Sequence, residues 1–560
     1  MNKRDTEAGE AISLPPILKN KLYLYMTEFF AGMSVMAVEL GASRLLAPYF
    51  SSSQIVWTII IGTIMIAMAL GNIYGGRSAD KNPNPDRLYG RITVAALWIA
   101  LIPVVGKFLI IGIAGLLVFT ISTNFLVVAA FAACMVIFVF PLFLLGTVTP
   151  SLVKYTVDSL SDSGRVVGNL NAFNTIGSII GTFVPTFISI PAVGTSVTFL
   201  IFAGILLLLA VIYFVSAKIR PVKTAIAGGI FLLCCIFGHD TSFAFWQHDL
   251  TVEDESIYNY LQVYEQGSRV YLSTNVLFGV QSVYDREIEL TGMYYDYAMA
   301  APFMAGVMTK DSKLDVLILG MGTGTYATQC RRYFGDVNIE GVEIDDKITK
   351  LAHEYFELPE DIRVTTYDGR AYLEALSSMS DKEIAGYGSN GRYDVIMVDA
   401  YQDITIPFQM ASKEFFTLVH DHLKPGGVMV VNMNMRGTKE GNINEYLADT
   451  IAEVFNCIYT VDVSGGTNRE LFAFDSRESC DTFLENVASC TDEDLKAMME
   501  HVWDNLIAYA PGKHVMTDDR APVELLSMQV IDELIREEVD YYKRIYDEKG
   551  FKGIWELLSS

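Results

Sequence analysis

Glycines and carboxylates in the second half of the chain stand at spacings that suit the binding of a nucleoside. The segment Gly320-Met321-Gly322-Thr323-Gly324 permits a tight turn and lets the backbone approach an adenosyl group closely. Glu343 follows Gly320 by 23 residues, and a carboxylate about 20 residues after such a turn can accept hydrogen bonds from both ribose hydroxyls. Farther along, Asp368 is suited to accept from an adenine amino group, and Asp399 is suited to face the reacting centre.

Each of these residues lies at the end of a predicted β-strand or directly after one, and helical segments alternate with the strands. The predicted strands are Leu314–Leu319, Val337–Val342, Ile362–Thr366, Val395–Val398 and Gly427–Met433. The alternation predicts a doubly wound, mostly parallel α/β sheet of the Rossmann-like type. Because ligands of such sheets bind beyond the carboxyl ends of the strands, we expect the site segments to share one crevice.

A different pattern precedes the α/β region. Ile257–Tyr264, Ser268–Ser273 and Glu287–Leu290 are short stretches of alternating polarity bounded by turn residues. They predict a small antiparallel β domain within residues 251–300, ahead of a nucleoside-binding domain at 310–540 and a C-terminal tail at 541–560.

The first 240 residues predict a multi-pass α-helical membrane domain at 21–240, after a cytoplasmic tail at 1–20. A helix that spans a bilayer needs about 20 mostly apolar residues. Six runs meet this description, and they are Leu22–Leu46, Ile55–Tyr74, Ile92–Ile121, Phe125–Val148, Val166–Ile190 and Val197–Val215. A seventh run, Ala225–Gly238, is short, and it is compatible with spanning the bilayer, lying at its interface or packing as a hairpin.

Lys and Arg concentrate in the amino-terminal tail and the even-numbered loops, which places these segments in the cytoplasm. We expect the second half to be cytoplasmic too, because sulfonium nucleoside donors are made in the cytosol. That requires an even number of passes. Either Ala225–Gly238 is interfacial or Ile92–Ile121 crosses twice, and the sequence leaves both open.

Two carboxylates lie inside the first predicted span. Glu28 and Glu39 are 11 residues apart, about three helical turns, so they share a face. Charged groups within a bilayer are costly and often functional, which predicts a cavity lined by these residues. The alternative is that they are packing partners of Arg44 or Asn72.

Charge and cysteine content exclude several classes of function. Residues 1–239 contain 15 Lys or Arg and 9 Asp or Glu, whereas the remainder contains 26 and 56. So acidic a second half argues against a nucleic-acid partner, which would need clustered basic residues. The seven cysteines form no CxxC pair or Cys/His cluster, so we expect no structural metal.

The motifs in this order resemble the spermidine synthase (polyamine aminopropyltransferase) family. The resemblance covers roughly residues 255–475, and the attached helical half resembles the membrane-bound bacterial members. The segments that carry it are Gly320–Gly324, Val342–Asp345, Asp368-Gly369, Tyr393–Asp399, Lys413–Phe416 and Leu423–Gly427, with Tyr258 and Gly279-Val280-Gln281 upstream. It implies a class I methyltransferase-type fold and a nucleoside donor as substrate, with no prosthetic group.

The resemblance also implies roles for individual residues. Gly320, Gly322, Gly324 and the Asp368-Gly369 turn would line the donor, Glu343 would bind its ribose, and Gln281 would contact its sulfur side or the amine. Asp399 would orient the donor's aminopropyl group and the attacking amine. If the reaction is aminopropyl transfer, Asp399, with Asp403 or Tyr401, would also take a proton from that amine. The family's acidic pair before the upstream tyrosine is replaced by Thr291-Gly292, and only Asp296 remains nearby.

These observations predict an aminopropyltransferase that acts on a small amine such as putrescine and has the lipid bilayer as a second partner. The donor would be decarboxylated S-adenosylmethionine, and the products would be a spermidine-type amine and methylthioadenosine. Two alternatives stay open: an S-adenosylmethionine-dependent methyltransferase with a membrane-delivered substrate, and a non-catalytic transporter or sensor. A homo-oligomer is compatible with the sequence.

Overall fold

The protein is described by a computed structural model covering residues 15–558, except 119–120, 122–123, 157–162, 240–241, 248, 277–279, 307–312, 336, 390, 401–405, 435 and 438. The chain forms two compact units. The helical unit contains the chain up to Ala47 together with Val56–Gly115 and Val127–Phe243. The sheet unit contains Pro48–Ile55, Leu116–Leu126 and the chain from Ala244 onward.

Nine α-helices are described between Lys21 and Gly238. They are α1 (Lys21–Phe50), α2 (Gln54–Lys81), α3 (Pro85–Val118), α4 (Phe125–Ile137), α5 (Val139–Gly146), α6 (Val148–Thr156), α7 (Ser163–Val184), α8 (Ile190–Ala217) and α9 (Pro221–Gly238). A π-helical turn, Pro185–Ser189, joins α7 to α8, and Gly194 interrupts α8 with a φ of 78°.

Six helical stretches of the described chain are long and apolar enough to cross a membrane. They are Lys21–Phe50, Gln54–Lys81, Pro85–Val118, Val139–Thr156, Ser163–Ala217 and Pro221–Gly238. The predicted run Ile92–Ile121 lies up to Val118 in one continuous helix, α3, with Pro103 inside it. The predicted run Phe125–Val148 is instead divided among α4, α5 and the start of α6.

The first part of the sheet unit is a four-stranded antiparallel sheet in the order β1-β2-β3-β4. Its strands are β1 (Leu250–Glu255), β2 (Tyr260–Gln266), β3 (Arg269–Ser273) and β4 (Ser282–Asp285). The prediction of a strand at Glu287–Leu290 is wrong. The Asp285 carboxylate accepts from the backbone N–H groups of Glu287 and Ile288, and this turn ends the strand.

The second part is an eight-stranded sheet with helices around it. Its strands are β5 (Leu314–Leu319), β6 (Val337–Glu343), β7 (Arg363–Thr366), β8 (Tyr393–Val398), β9 (Leu423–Met433), β10 (Cys457–Asp462), β11 (Arg469–Phe474) and β12 (Ile507–Ala508). Its helices are α10 (Tyr294–Ala298), α11 (Ala300–Ala305), α12 (Thr325–Phe334), α13 (Asp346–Tyr355), α14 (Gly369–Ser378), α15 (Asp381–Gly386), α16 (Lys413–Asp421), α17 (Ile443–Ala452), α18 (Glu478–Ser489), α19 (Glu493–Asn505) and α20 (Val523–Leu558).

The strand order is β12-β10-β11-β9-β8-β5-β6-β7, and the five strands from β9 to β7 run parallel. This is the predicted doubly wound sheet, extended by three antiparallel strands. Strands β5 and β8 are buried along nearly their whole length because helices cover both faces of a parallel sheet. Strand β5 pairs with β6 on one side and with β8 on the other. The connections therefore lead away from β5 in opposite directions, and a crevice opens beyond its carboxyl end.

Candidate active site

A cavity of about 330 Å³ lies at the carboxyl ends of the parallel strands. Eight predicted site residues line it, and they are Gln281, Gly320, Gly322, Gly324, Glu343, Asp368, Gly369 and Asp399. Segments up to 118 residues apart therefore meet in one crevice, as the sheet topology requires. Tyr401 and Asp403, the other two predicted residues, lie outside the described part of the chain.

The glycine turn after β5 is held against two neighbouring strands. The backbone N–H groups of Gly320 and Met321 both donate to the carbonyl of Val342 on β6. Gly320 has a φ of 86°, and a Cβ atom there would lie 2.4 Å from the carbonyl oxygen of Asp399. No larger residue fits at this position. Its left-handed backbone conformation disfavours a side chain, and the residue after β8 lies too close to leave space for one.

Glu343 connects the end of β6 to the glycine turn. Its Oε2 accepts from the backbone N–H of Gly322 at 2.9 Å, and its Oε1 accepts from the N–H of Asp345 at 3.0 Å. Burial raises the pKa of this carboxyl above its ordinary value, while the two backbone donors oppose the rise. Each carboxylate oxygen has two lone pairs, so both can still accept a ligand hydroxyl.

Asp368 both caps a helix and lines the cavity. Its Oδ1 accepts from the N–H of Ala371 at 2.9 Å, which satisfies a free donor at the start of α14. One carboxylate oxygen of Asp368 thus caps the helix, and the same residue lines the cavity. Gly369 follows it, where a Cβ would lie 3.2 Å from the Cε of Met410.

Asp399 follows β8 and is held by two neutral donors. The phenol of Tyr294, on α10, donates to Oδ2 at 2.6 Å, and the amide of Asn432, on β9, donates to Oδ1 at 2.8 Å. Asn432 in turn accepts from Asn468 at 2.9 Å. Removal from water raises the pKa of Asp399 to about 7, although both hydrogen bonds lower it. The carboxyl therefore changes charge near neutral pH.

Sequence reasoning missed Tyr294 and Asn432. Asn432 lies near the carboxyl end of β9, so the rule that located the other residues also applies to it. Tyr294 has no such signal, because it approaches Asp399 from a helix 105 residues earlier in the chain.

Thr323 and Asp296 lie near the cavity, and both are buried. Thr323, in the glycine turn, is buried with its Oγ1 3.3 Å from that of Thr325, and it is not among the residues that line the cavity. Asp296 is fully buried and accepts from the N–H of Gly292 and from the amide of Gln329. It stabilises the turn before α10, and burial raises its pKa to about 6.

The charge of the cavity has one sign. Glu343, Asp368 and Asp399 line it, and no Lys or Arg is found among the lining residues that the structure describes. Within those same described parts of the chain, no group of three His, Cys, Asp or Glu side chains is arranged to hold a metal ion. The arrangement is suited to a cationic organic ligand with a nucleoside portion.

Known proteins similar to this chain include polyamine aminopropyltransferases, and a eukaryotic lysine and N-terminal methyltransferase of Xenopus laevis is 26% identical over 211 residues, which are 36% of this chain and 28% of that protein. The model of the spermine/spermidine synthase domain matches residues 303–463. A protein of Bifidobacterium longum described as a probable polyamine aminopropyl transferase is 49% identical over 363 residues, which are 61% of this chain and 77% of that protein. A polyamine aminopropyltransferase of Vibrio vulnificus is 25% identical over 205 residues, which are 36% of this chain and 64% of the relative. Among solved structures, a probable spermidine synthase from Corynebacterium glutamicum covers 48% of this chain and 98% of its own, with 17% identity and a TM-score of 0.33.

Proposed function

We propose, from the premise that this chain belongs to the polyamine aminopropyltransferase family, that it transfers the aminopropyl group of decarboxylated S-adenosylmethionine to an amine such as putrescine. The chain is a transferase, and its nucleoside donor is a substrate rather than a prosthetic group. The observation that carries the proposal is the carboxylate-lined cavity in which Asp399 titrates near neutral pH beside the glycine turn. The products are a spermidine-type amine and methylthioadenosine.

The described lining residues favour the decarboxylated donor over intact S-adenosylmethionine. The intact donor carries an α-carboxylate that a methyltransferase site must accommodate, often with a basic or amide group. The three lining carboxylates would repel that group, and no described lining residue is a Lys or Arg. Decarboxylation replaces this carboxylate by hydrogen and leaves the donor's ammonium group, which the same carboxylates attract. Release of S-adenosylhomocysteine instead of methylthioadenosine would identify the methyltransferase alternative.

We assign the donor to the glycine turn and the two acids beside it. Gly320, Gly322 and Gly324 leave the backbone bare, so that the nucleoside can approach it. Glu343 is placed to accept from the ribose hydroxyls, and the uncommitted oxygen of Asp368 is placed to accept from the adenine amino group. Gln281 lines the same cavity from the end of the antiparallel sheet and would contact the sulfur side or the amine.

Asp399 is proposed as the general base. The acceptor nitrogen attacks the methylene next to the sulfonium, the carbon–sulfur bond breaks, and its electron pair stays on sulfur in methylthioadenosine. The nitrogen must first lose a proton because primary amines are protonated at neutral pH. A carboxyl with a pKa of about 7 accepts such a proton effectively. Tyr294 and Asn432 hold the carboxylate in one orientation, and Tyr401 and Asp403 remain predicted partners.

We further propose that the protein is a multi-pass protein of the cell membrane, with the sheet unit facing the cytosol, where the donor is made. The support is the six apolar helical stretches long enough to cross a bilayer.

The direct test is a product assay on the purified full chain. Labelled decarboxylated S-adenosylmethionine is incubated in parallel with putrescine, spermidine, cadaverine and agmatine, and the products are identified by mass spectrometry. We expect methylthioadenosine with at least one amine, reduced 100-fold or more in Asp399→Asn, as removal of a general base costs about 10² to 10⁴. Asp504→Asn, a matched change on an exposed helix residue, should retain full activity. Equal activity in the wild type and Asp399→Asn would refute the assignment.

A further inference from the structure

One buried carboxyl of the helical unit belongs to no site described above. Glu28 lies on α1 and is completely inaccessible to solvent. The hydroxyl of Thr149, on α6, donates to its Oε1 at 2.5 Å, and the amide of Asn174, on α7, donates to the same oxygen at 2.8 Å. Side chains from three helices therefore converge on one carboxylate oxygen.

The second oxygen of this carboxyl, Oε2, has an environment different from that of Oε1. Oε2 is buried and has no hydrogen-bond partner among the described residues. Both partners of Oε1 are neutral, and Arg44 lies 16 residues away on the same helix, about 24 Å along its axis. A buried ionised carboxylate without a counter-charge is strongly unfavourable, so the group requires a cation or a bound proton.

The other titratable groups of these helices have different contacts. On α1, Tyr25 stacks on Phe173, and on α6, Lys154 pairs with Asp80 at 3.0 Å. The remaining titratable groups in the described parts of these helices are Lys21, Tyr23, Glu39, Arg44 and Tyr49 on α1, Tyr155 on α6 and Arg165 on α7. Both recorded hydrogen-bond partners of Glu28 are neutral.

Close packing of the helices limits the size of the occupant. A Cβ atom on Gly32, one turn from Glu28, would lie 2.6 Å from the carbonyl oxygen of Asn174. A Cβ on Gly177 would lie only 2.0 Å from the carbonyl oxygen of Phe29. Because α1 and α7 are in backbone contact beside the carboxyl, a methyl group does not fit there, and an alkylammonium ion is larger still.

We infer that Glu28 is a proton-binding site in the helical unit, which takes up one proton at Oε2 and releases it as proton-coupled membrane proteins do. An O–H bond forms at Oε2 with a proton from solution and breaks when the helices separate enough to admit water. Thr149 and Asn174 stabilise both forms because each donates to Oε1. This function is independent of group transfer in the sheet unit.

Infrared spectroscopy of the full chain in phosphatidylcholine bilayers tests the inference during a pH titration. We expect the wild-type minus Glu28→Gln difference spectrum to contain a carbonyl stretching band of a protonated, buried carboxyl that disappears reversibly as the pH rises, because the other buried carboxyls cancel in the difference. This Glu28-dependent band should be retained in Glu39→Gln, the same change at the half-buried carboxyl of the same helix. Thr149→Val keeps the carboxyl and should shift the band to higher frequency, because one hydrogen bond is lost.

Two results would overturn the inference. They are a wild-type minus Glu28→Gln difference spectrum with no such band, and a difference band that persists through the whole titration. If Glu28→Gln fails to assemble, the Thr149→Val spectrum decides, because an unshifted band cannot come from Glu28. Aminopropyl transfer is measured separately, so its failure would leave the spectroscopic result intact.

Discussion

Asp399 shows how neighbours tune one carboxyl. Burial raises its pKa, and the two donors Tyr294 and Asn432 lower it, with the result near pH 7. A base of this strength is only partly protonated at neutral pH, yet strong enough to accept a proton from a bound ammonium group. The pH dependence of catalysis should therefore report these two hydrogen bonds.

Removal of the phenol should move the pH profile. Tyr294→Phe deletes a hydrogen bond to the ionised carboxylate, so the pKa of Asp399 should rise by about 1 to 2 units, since such bonds contribute about 1.5–3 kcal/mol. The acidic limb of kcat/KM should shift to higher pH by that amount. The profile of Tyr387→Phe, at an exposed tyrosine, should match the wild type. A uniformly lowered profile with an unshifted limb would contradict the assigned role.

Glu470 is a second residue whose environment predicts a measurable effect. It is fully buried on β11, opposite Asn432, and both of its carboxyl oxygens lack a partner among the described residues. Burial raises its pKa well above the ordinary value. The folded protein therefore keeps a proton that the unfolded chain releases near pH 4.3, and this group lowers stability as pH rises.

Replacement by an apolar residue should stabilise the protein. Glu470→Met removes two unsatisfied oxygens, and we expect the free energy of unfolding to increase by about 1–3 kcal/mol at neutral pH, with a smaller gain near pH 4. Chemical denaturation of the full chain in detergent at both pH values measures this. Glu470→Gln keeps the buried polar atoms and should gain less. Destabilisation by Glu470→Met at neutral pH would show that the carboxyl is satisfied in the native protein.

At the scale of elements, the segment before α20 braces the side of the cavity that we propose binds the donor. Asp518 lies in this segment and accepts two hydrogen bonds of 2.6 Å from the Arg370 guanidinium. Arg370 lies in the first turn of α14, directly after Gly369. Ser412, the residue before α16, donates to the same carboxylate. The side chain of Asp518 thus connects the starts of α14 and α16 beside the cavity.

Loss of this brace should weaken donor binding more than chemistry. Asp518→Asn breaks the paired geometry, and we expect a loss of about 1–2 kcal/mol in stability and a several-fold higher KM for the donor, with kcat nearly unchanged. Glu374→Gln removes the other, more exposed partner of Arg370 and should cost less than about 0.5 kcal/mol. An equal effect of the two substitutions on KM would contradict the bracing role.

At the scale of the whole molecule, two rules about membrane orientation compete. The distribution of Lys and Arg places the loop after α1 on the side opposite the amino-terminal tail. That loop is part of the segment Pro48–Ile55, which belongs to the sheet unit. The cytosolic origin of the donor favours the other side for this unit. Group transfer needs access to the donor, so we propose that the sheet unit faces the cytosol.

Cysteine labelling in cells separates these possibilities. Gln54→Cys and Glu485→Cys both place a thiol at an exposed position of the sheet unit. We expect a membrane-impermeant maleimide to label each of them only after permeabilisation, relative to the parent chain with its seven cysteines. Labelling of both in intact cells would refute the cytosolic proposal. Labelling on opposite sides would contradict their membership in one unit.

Much of the catalytic region was determined by the sequence alone. The strand Leu314–Leu319 was predicted with the bounds that the structure has, and the other four parallel strands were found within a few residues of theirs. Strand periodicity is a local property, and parallel strands joined by helices must all present their carboxyl ends at one edge. Glycines and acids at those ends therefore predict the residues that line the cavity.

Only the tertiary structure decided which side chains touch across those elements. Tyr294 reaches Asp399 from a distant helix, Glu28 meets Thr149 and Asn174 from two others, and a turn at Asp285 replaced a predicted strand. Such contacts depend on how helices and strands pack laterally. Packing is set by the combined shapes of residues far apart in the chain, and no periodicity within a single segment records it.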